Sequence, residues 1–524
     1  MTIPRIRTDS LGGSPLARRL IQGDAPADWY LARPTDAISW KARCEDVRRR
    51  KSDDWFASLL PAFEASGAAR ERLERVAGGR GVVVTTGQQP GLFGGPIYTW
   101  SKALSALELA NALERETGVA TAPVFWAATD DADFAEASST WISLPGGAER
   151  LAMTTPPTDG IPMAERPLGD VSALLERLIA ASGSAVEQGI IDRARRAYVP
   201  SQTIGGAYLA FLRSVLQPLG IAVLDASHPA LLEAERPLLE LALRRGSVVA
   251  ESLAARGSEL QGLGHAPQVA DVAGLSLVFH RDEAGEKVRV PLAHAERVLS
   301  RGTRERLSPN VLLRPLAEQA VLPTVGYVAG PGEIAYFAQV GAAATALGAP
   351  APLVLPRWSC TIVEPHVDAL LAKRGAAWSE LAEPSRLEGR LAREHAPVAV
   401  MAALAEWRAR VEGGATKFAA AVAAEAAILP PDVVEGTRRQ MAWRAERLER
   451  RLVAALKRRD VEMRRDVATM AGALFPGGMR QERALNLVPI LARHGLPVVD
   501  AMRAAARRHA DALVGGAPLP VDPA

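Results

Sequence analysis

At 524 residues the chain is too long for one simple core, so two or three folding units are expected. A composition of 48% hydrophobic and 23% charged residues excludes a disordered chain, and a net charge of +3 provides no overall field for nucleic acid or a membrane surface. The two cysteines, Cys44 and Cys360, exclude a disulfide scaffold or a cysteine-rich zinc site and fit a reducing compartment.

The opening MTIPRIRTDSLGGSP has no apolar h-region, and no run of about 18 apolar residues follows it, so a cytoplasmic protein without a membrane span is expected. Residues 1–80 read as short helices joined by Pro/Gly turns, with Trp29, Trp40 and Trp55 as anchors. Residues 81–86 (GVVVTT) are a β-branched run, the pattern of a buried parallel strand. A glycine-rich loop over 87–95 leads to Pro96 and an amphipathic helix ending near Glu116. Residues 122–126 (APVFW) form a second apolar strand followed by an acidic turn, which completes a βαβ unit and predicts a parallel sheet.

The sheet is expected to continue through 221–225 (IAVLD) and 352–356 (PLVLP), with the β-character of 268–290 forming an inserted lobe or hairpin. From about Leu381 the chain turns to Ala/Arg/Glu-rich helix. Met441, Ala445, Leu448, Leu452 and Ala455 recur at spacings of four and three, as in a coiled-coil seam. The basic run at 437–465 reads as the solvated face of this arm; attraction of a polyanion is the functional alternative, and base-stacking aromatics are lacking.

Three segments carry candidate chemistry. In TTGQQPGLFGGPIYTWSK, residues 85–102, glycines 87, 91, 94 and 95 would admit a ligand to backbone amides, and the loop opens a helix whose N-terminus favours anions. Thr86, Gln88, Gln89 and Lys102 add polar reach. The motif is neither GxGxxG in its usual context nor a Walker A loop, and a βα turn needing glycine only for packing is the plainer alternative. Asp130, Asp131, Asp133 and Glu136 follow the second strand, where open α/β sheets bind ligands. They could hold Mg²⁺, orient an amine or act as a general base, and a solvated turn with an Asp helix cap fits equally well. The third segment, 308–339, runs through an apolar strand and a glycine turn into a helix carrying Glu333, Tyr336 and Gln339 near one face. Arg314 and Arg357 suit a carboxylate or phosphate, with ordinary ion pairs as the alternative. Cys360 fits a small core residue, and none of the eight histidines forms an i, i+4 pair or HxH, so no His-based metal site is expected.

TGQQPGLFGGPIYT, PVFWAATDDADF, LLRPLAEQAVLPTVGYVAGPGEIAYFAQ, LVLPRWS and FPGGMRQERALNLVPILARHG, in this order, resemble the bacillithiol-synthesis cysteine-adding enzyme family over most of the chain. The resemblance implies an α/β fold: a Rossmann-like doubly wound parallel sheet with inserted connecting segments and a C-terminal α-helical coiled-coil arm. On this pattern the core spans 1–380, with insertions at about 150–205 and 240–300. The arm spans 381–475, and a helical segment, 476–524, packs back on the core. The implied activity is a ligase joining cysteine to glucosaminyl-malate through an amide, with ATP inferred as activator and Mg²⁺ an open option. The implied state is a homodimer formed through the coiled coil.

On this reading Asp130, Asp131, Asp133 and Lys102 are catalytic. Thr86, Gly87, Gln88, Gln89, Gly91, Tyr98, Arg314, Tyr327, Gly330, Glu333, Tyr336, Gln339 and Arg357 bind substrate or nucleotide. The family carries histidines where this chain has Ser101, Ala132 and Ser139. That leaves two further readings: a nucleotidyltransferase-like enzyme acting on another small acceptor, and a non-catalytic coiled-coil scaffold.

Overall fold

The computed structural model describes residues 3–52, 54–154, 160–270, 272–425 and 429–523. The chain forms two compact units. One comprises Met1–Ile142, Arg150–Val363 and Gln481–Pro523; the other comprises Ser143–Glu149 and Glu364–Arg480.

The first unit is built on a five-stranded sheet whose spatial order is Val354–Pro356, Thr324–Ala329, Val82–Gln88, Thr121–Ala127 and Ala222–Asp225. All four pairings are parallel. Because successive side chains alternate between faces, the valine run supplies both layers at once. Val82 and Val84 pack with Val325, Val328 and Leu355 against Trp40, Leu109 and Leu513. Val83 packs with Val124, Trp126 and Leu224 against Leu59, Phe63 and Leu73. Helices therefore cover both faces, which makes the sheet doubly wound.

Val82–Gln88 is first in chain order yet lies in the middle of the sheet. Its C-terminal neighbour in sequence, Thr121–Ala127, lies on one side, while Thr324–Ala329 lies on the other. The connections leaving these strands diverge, and a crevice opens between them at the carboxyl edge. Helix Ile97–Thr117 follows the first strand and ends at Gly118, which takes the left-handed conformation at φ 69. Helix Pro331–Leu347 follows the fourth, with proline at its start and Gly348 at φ 66 as its stop.

The segment of β-character is a hairpin of Leu275–Arg281 and Lys287–Pro291, and Ser308–Pro309 adds a third antiparallel strand. The N-terminal stretch, expected to be wholly helical, contributes strand Arg5–Thr8, which pairs antiparallel with Cys360–Val363. Four residues are too few to show a readable alternation, and the partner lies more than 350 positions away.

The second unit contains the long helices Val398–Ala424 and Pro431–Arg459, which pack on one another. The seam overlaps the expected one in part: Ala445 is buried, and Leu452 and Ala455 are half-buried. Val434, Ala445 and Val453 are the buried positions of the second helix, while Met441 and Leu448 are exposed. Among the described residues no helix is long and apolar enough to cross a membrane.

Candidate functional site

A cavity of about 610 Å³ opens at the crevice between the first and fourth core strands. The first βα turn contributes only its beginning, Gly87, Gln88 and Gln89, together with Tyr98 and Lys102 from the helix. The rest of the turn is closed on itself. The Tyr198 hydroxyl accepts from Gly94 N at 2.8 Å and donates to Gly91 O at 3.2 Å. Asn486 Nδ2 reaches Leu92 O, Phe93 O and Gly95 O at 3.1–3.3 Å. Ile97 N, the first amide of the helix, donates to Leu485 O at 2.9 Å. The helix N-terminus expected to receive an anion is thus engaged by protein backbone. Gly91 is needed for packing, since a Cβ there would lie 2.7 Å from Gly95 Cα.

Lys102 is almost fully buried, at 4% exposure. Its Nζ donates to Gly87 O at 2.7 Å and Gln88 Oε1 at 3.0 Å, and pairs with Glu333 Oε2 at 2.5 Å. These three acceptors match its three donors. Burial lowers the Lys102 pKa, the Glu333 carboxylate opposing it. Burial alone would raise Glu333, but Lys102 and Arg314 outweigh it and hold the carboxylate below its ordinary value. Glu333 also accepts from Gly330 N at 2.7 Å and from the Tyr327 hydroxyl at 2.5 Å. Lys102 is therefore a staple between the two glycine turns rather than a free catalytic ammonium.

Arg314 donates to the hydroxyls of Tyr327 and Tyr336 at 3.1 and 3.2 Å and to Glu318 Oε2 at 3.3 Å. Its guanidinium lies over the Tyr327 ring, 5.1 Å from the centroid. Glu318 is pushed up to about 7 by burial, with Arg314 pulling the other way. Arg357 is bidentate with Glu482, at 2.7 and 2.8 Å, and both are buried. The two arginines expected to hold substrate carboxylates already hold carboxylates of the protein itself.

On the acidic turn, Asp130 Oδ2 and the Asp130 carbonyl both accept from Lys287 Nζ at 2.8 Å. Asp131 accepts from Gln89 Nε2 and, at 3.2 Å, from Asp133 N. Asp133 caps the short helix Phe134–Ala137, accepting from Glu136 N at 3.1 Å. Glu136 Oε1 accepts from the Tyr98 hydroxyl at 2.9 Å and from Gln88 Nε2 at 3.0 Å. Among the described residues no three His, Cys, Asp or Glu side chains converge as a metal ligand set.

Of the expected site residues, Gly87, Gln88, Gln89, Tyr98, Lys102, Asp130, Asp131, Arg314, Gly330, Glu333, Tyr336 and Arg357 line this one cavity. Thr86, Gly91, Asp133, Tyr327 and Gln339 do not. Thr86 Oγ1 donates to Val328 O at 2.8 Å inside the sheet. Gln339 brackets the Val269 backbone, accepting from its N at 3.1 Å and donating to its O at 2.8 Å. Tyr327 is buried at 1% beneath Arg314. The cavity also recruits Phe279, Lys287 and Arg289 from the hairpin, Asn310, and Arg483 from the returning C-terminal segment. The alternation Lys287-Val-Arg289 was visible in the sequence, but nothing local placed it opposite the acidic turn. Of the three positions where the family carries histidine, only Ala132 lines the cavity. Ser101 is buried with its hydroxyl on Ile97 O at 3.3 Å, and Ser139 accepts from Arg150 at 3.0 Å.

Comparison with known proteins agrees with this architecture. Residues 1–358 match the N-terminal Rossmann-like domain of bacillithiol biosynthesis BshC, and residues 360–511 match its C-terminal coiled-coil domain. A protein of Solibacter usitatus named "Putative cysteine ligase BshC" is 30% identical over 91% of this chain and 92% of its own length. Proteins of the same name from Koribacter versatilis and Geobacillus kaustophilus are 30% and 28% identical, covering 84% and 86% of this chain and 84% and 87% of their own. The chain belongs to the BshC family of bacillithiol biosynthesis, a family of cysteine ligases.

Proposed function

We propose that the chain forms an amide between the carboxyl of cysteine and the amine of glucosaminyl-malate. What supports this reading is the polarity of the cavity at the switch point: Asp130, Asp131 and Glu136 line it from the second strand's turn, and a set of Lys and Arg side chains lines it from the other elements. Such a cavity suits a substrate carrying an amine at one end and carboxylates at the other. Asp130 is neutralised by Lys287 and Asp133 serves as a helix cap, so Asp131 is the acid assigned to the attacking amine. It would orient the amine and accept its proton as the C–N bond forms and the C–O bond between the cysteine acyl carbon and its activating group breaks.

A free carboxylate does not condense with an amine in water, so the reading includes ATP as activator. In the first βα turn the amides of Gly94, Gly95 and Ile97 are bonded within the protein and are not open to the phosphates of a nucleotide. The acids likewise do not form an ion cage for Mg²⁺ among the described residues. No step is assigned to either group in this cavity. The arm is read as the contact between two copies of the chain; Phe418, Trp443 and Leu448 are about half exposed on it, which supports that assignment.

The test is mass spectrometry of the full chain incubated with glucosaminyl-malate, cysteine, ATP and Mg²⁺, each omitted in turn. The cysteinyl amide should appear only when both substrates are present, and ATP omission should abolish it. Absence of the amide under every condition, from folded protein, overturns the reading.

A further inference from the structure

The cations of the cavity differ in what they already hold. Lys102 is matched by Gly87 O, Gln88 and Glu333. Lys287 is bound to Asp130, Arg314 to two tyrosine hydroxyls and Glu318, and Arg357 to Glu482. Arg289 donates to Ser276 O at 2.8 Å and to Leu275 O at 3.4 Å. Arg483 lines the same cavity and has no hydrogen-bond or ion-pair partner among the described residues.

Its unpaired state does not come from a loose backbone. Arg483 sits in the short helix Gln481–Ala484, and both preceding residues are locked into the core. Gln481 Oε1 accepts from Ile362 N at 2.7 Å, and its Nε2 donates to Ile362 O at 2.8 Å. Glu482 holds Arg357 with both oxygens and accepts from the Ser359 hydroxyl at 2.9 Å. Gln481 and Glu482 are 2% and 3% exposed, while Arg483 is exposed. A fixed backbone with an open guanidinium fork on a cavity wall is preorganised for a planar oxyanion: the fork stays charged and offers paired donors. The acids of the second strand's turn disfavour a carboxylate on their own side, which fixes the orientation of a substrate carrying both an amine and an acid.

We propose that Arg483 is the receptor for a malate-type carboxylate of the substrate, gripped by two N–H donors, and that it selects an acidic sugar conjugate over a neutral one. This rests on reading the cavity as the site of the glucosaminyl-malate substrate.

The test is calorimetric titration of the full chain, wild type and the Arg483→Gln and Arg483→Lys variants, with malate, glucosaminyl-malate, cysteine and ATP in separate runs. Arg483→Gln should weaken malate and glucosaminyl-malate roughly ten- to a hundredfold, the range expected for a charge-assisted bidentate contact. Arg483→Lys should recover part of the loss, since an ammonium supplies the charge without the fork. Melting temperatures should stay level, because the side chain holds nothing in the free protein. Unchanged affinity for malate and the conjugate in Arg483→Gln overturns the proposal. So does a loss confined to ATP or to cysteine, which would make Arg483 a phosphate or amino-acid contact. If wild type binds malate through Arg483 but neither binds nor converts glucosaminyl-malate, the ligase reading fails and the receptor stands. If wild type binds neither acid, both fail.

Discussion

Lys102, in the helix after the first core strand, and Glu333, in the helix after the fourth, meet in a 2.5 Å ion pair across the crevice where the connections leaving the two strands diverge. The pair joins the two glycine turns that line the cavity. Removing one member leaves the other's charge buried, which typically costs about 3–5 kcal/mol. Lys102→Met and Glu333→Gln should each lower the urea midpoint sharply. The double variant should lose less than the sum of the two, as contacting residues do. Additive losses would mean that the two side chains are not coupled.

Glu318 gives the molecule a pH-dependent weakness. Burial moves its carboxyl from 4.5 up to about 7. Since the folded state binds this proton more tightly than the unfolded chain, stability should fall as pH rises through that window and level off above it. The shift corresponds to a destabilisation on the order of 3 kcal/mol at most. Denaturation of wild type and Glu318→Gln at pH 5 and pH 8 reads it: the variant should gain on wild type at pH 8 and not at pH 5. A constant difference between the two pH values would place the ionisation elsewhere.

Arg357 and Glu482 should behave as structural elements. Glu482→Gln removes the charge paired with the buried guanidinium and one of its two acceptor oxygens, and Arg357→Met strands the carboxylate. Either change should lower the melting temperature substantially, by about 3 kcal/mol or more in stability. A variant at Arg357 that retained full thermal stability while losing substrate affinity would return this arginine to the role of ligand.

Asp131 and Asp133, two residues apart, should separate function from capping. Asp131→Asn should abolish amide formation with little change in melting. Asp133→Ala should cost about 1 kcal/mol through loss of the cap and leave turnover largely intact. Equal activity losses in the two variants would contradict the assignment of the amine to Asp131.

The backbone plan was legible in the sequence wherever local physics sufficed. The valine run 82–84 is β-branched and apolar on every residue, which only a strand buried on both faces requires. Gly330, Pro331 and Glu333 each obey a capping rule, so the start of their helix could be read from three residues within a span of four. The same local rules account for Asp133, whose cap was one of two equal readings.

What the sequence could not decide was which charges are already satisfied. Lys102, Arg314 and Arg357 look alike as candidates in a string, because a cation's availability depends on partners that come from elements far along the chain. Glu482 lies 125 positions after Arg357, and Lys287 lies 157 after Asp130. The tertiary structure closed those pairs and drew the strands at 82–88 and 324–329 together to make the crevice. It also left Arg483 open on the cavity wall, because the two residues before it were taken into the core. Pairing over such separations follows from the packing of the whole sheet, and no local propensity encodes it.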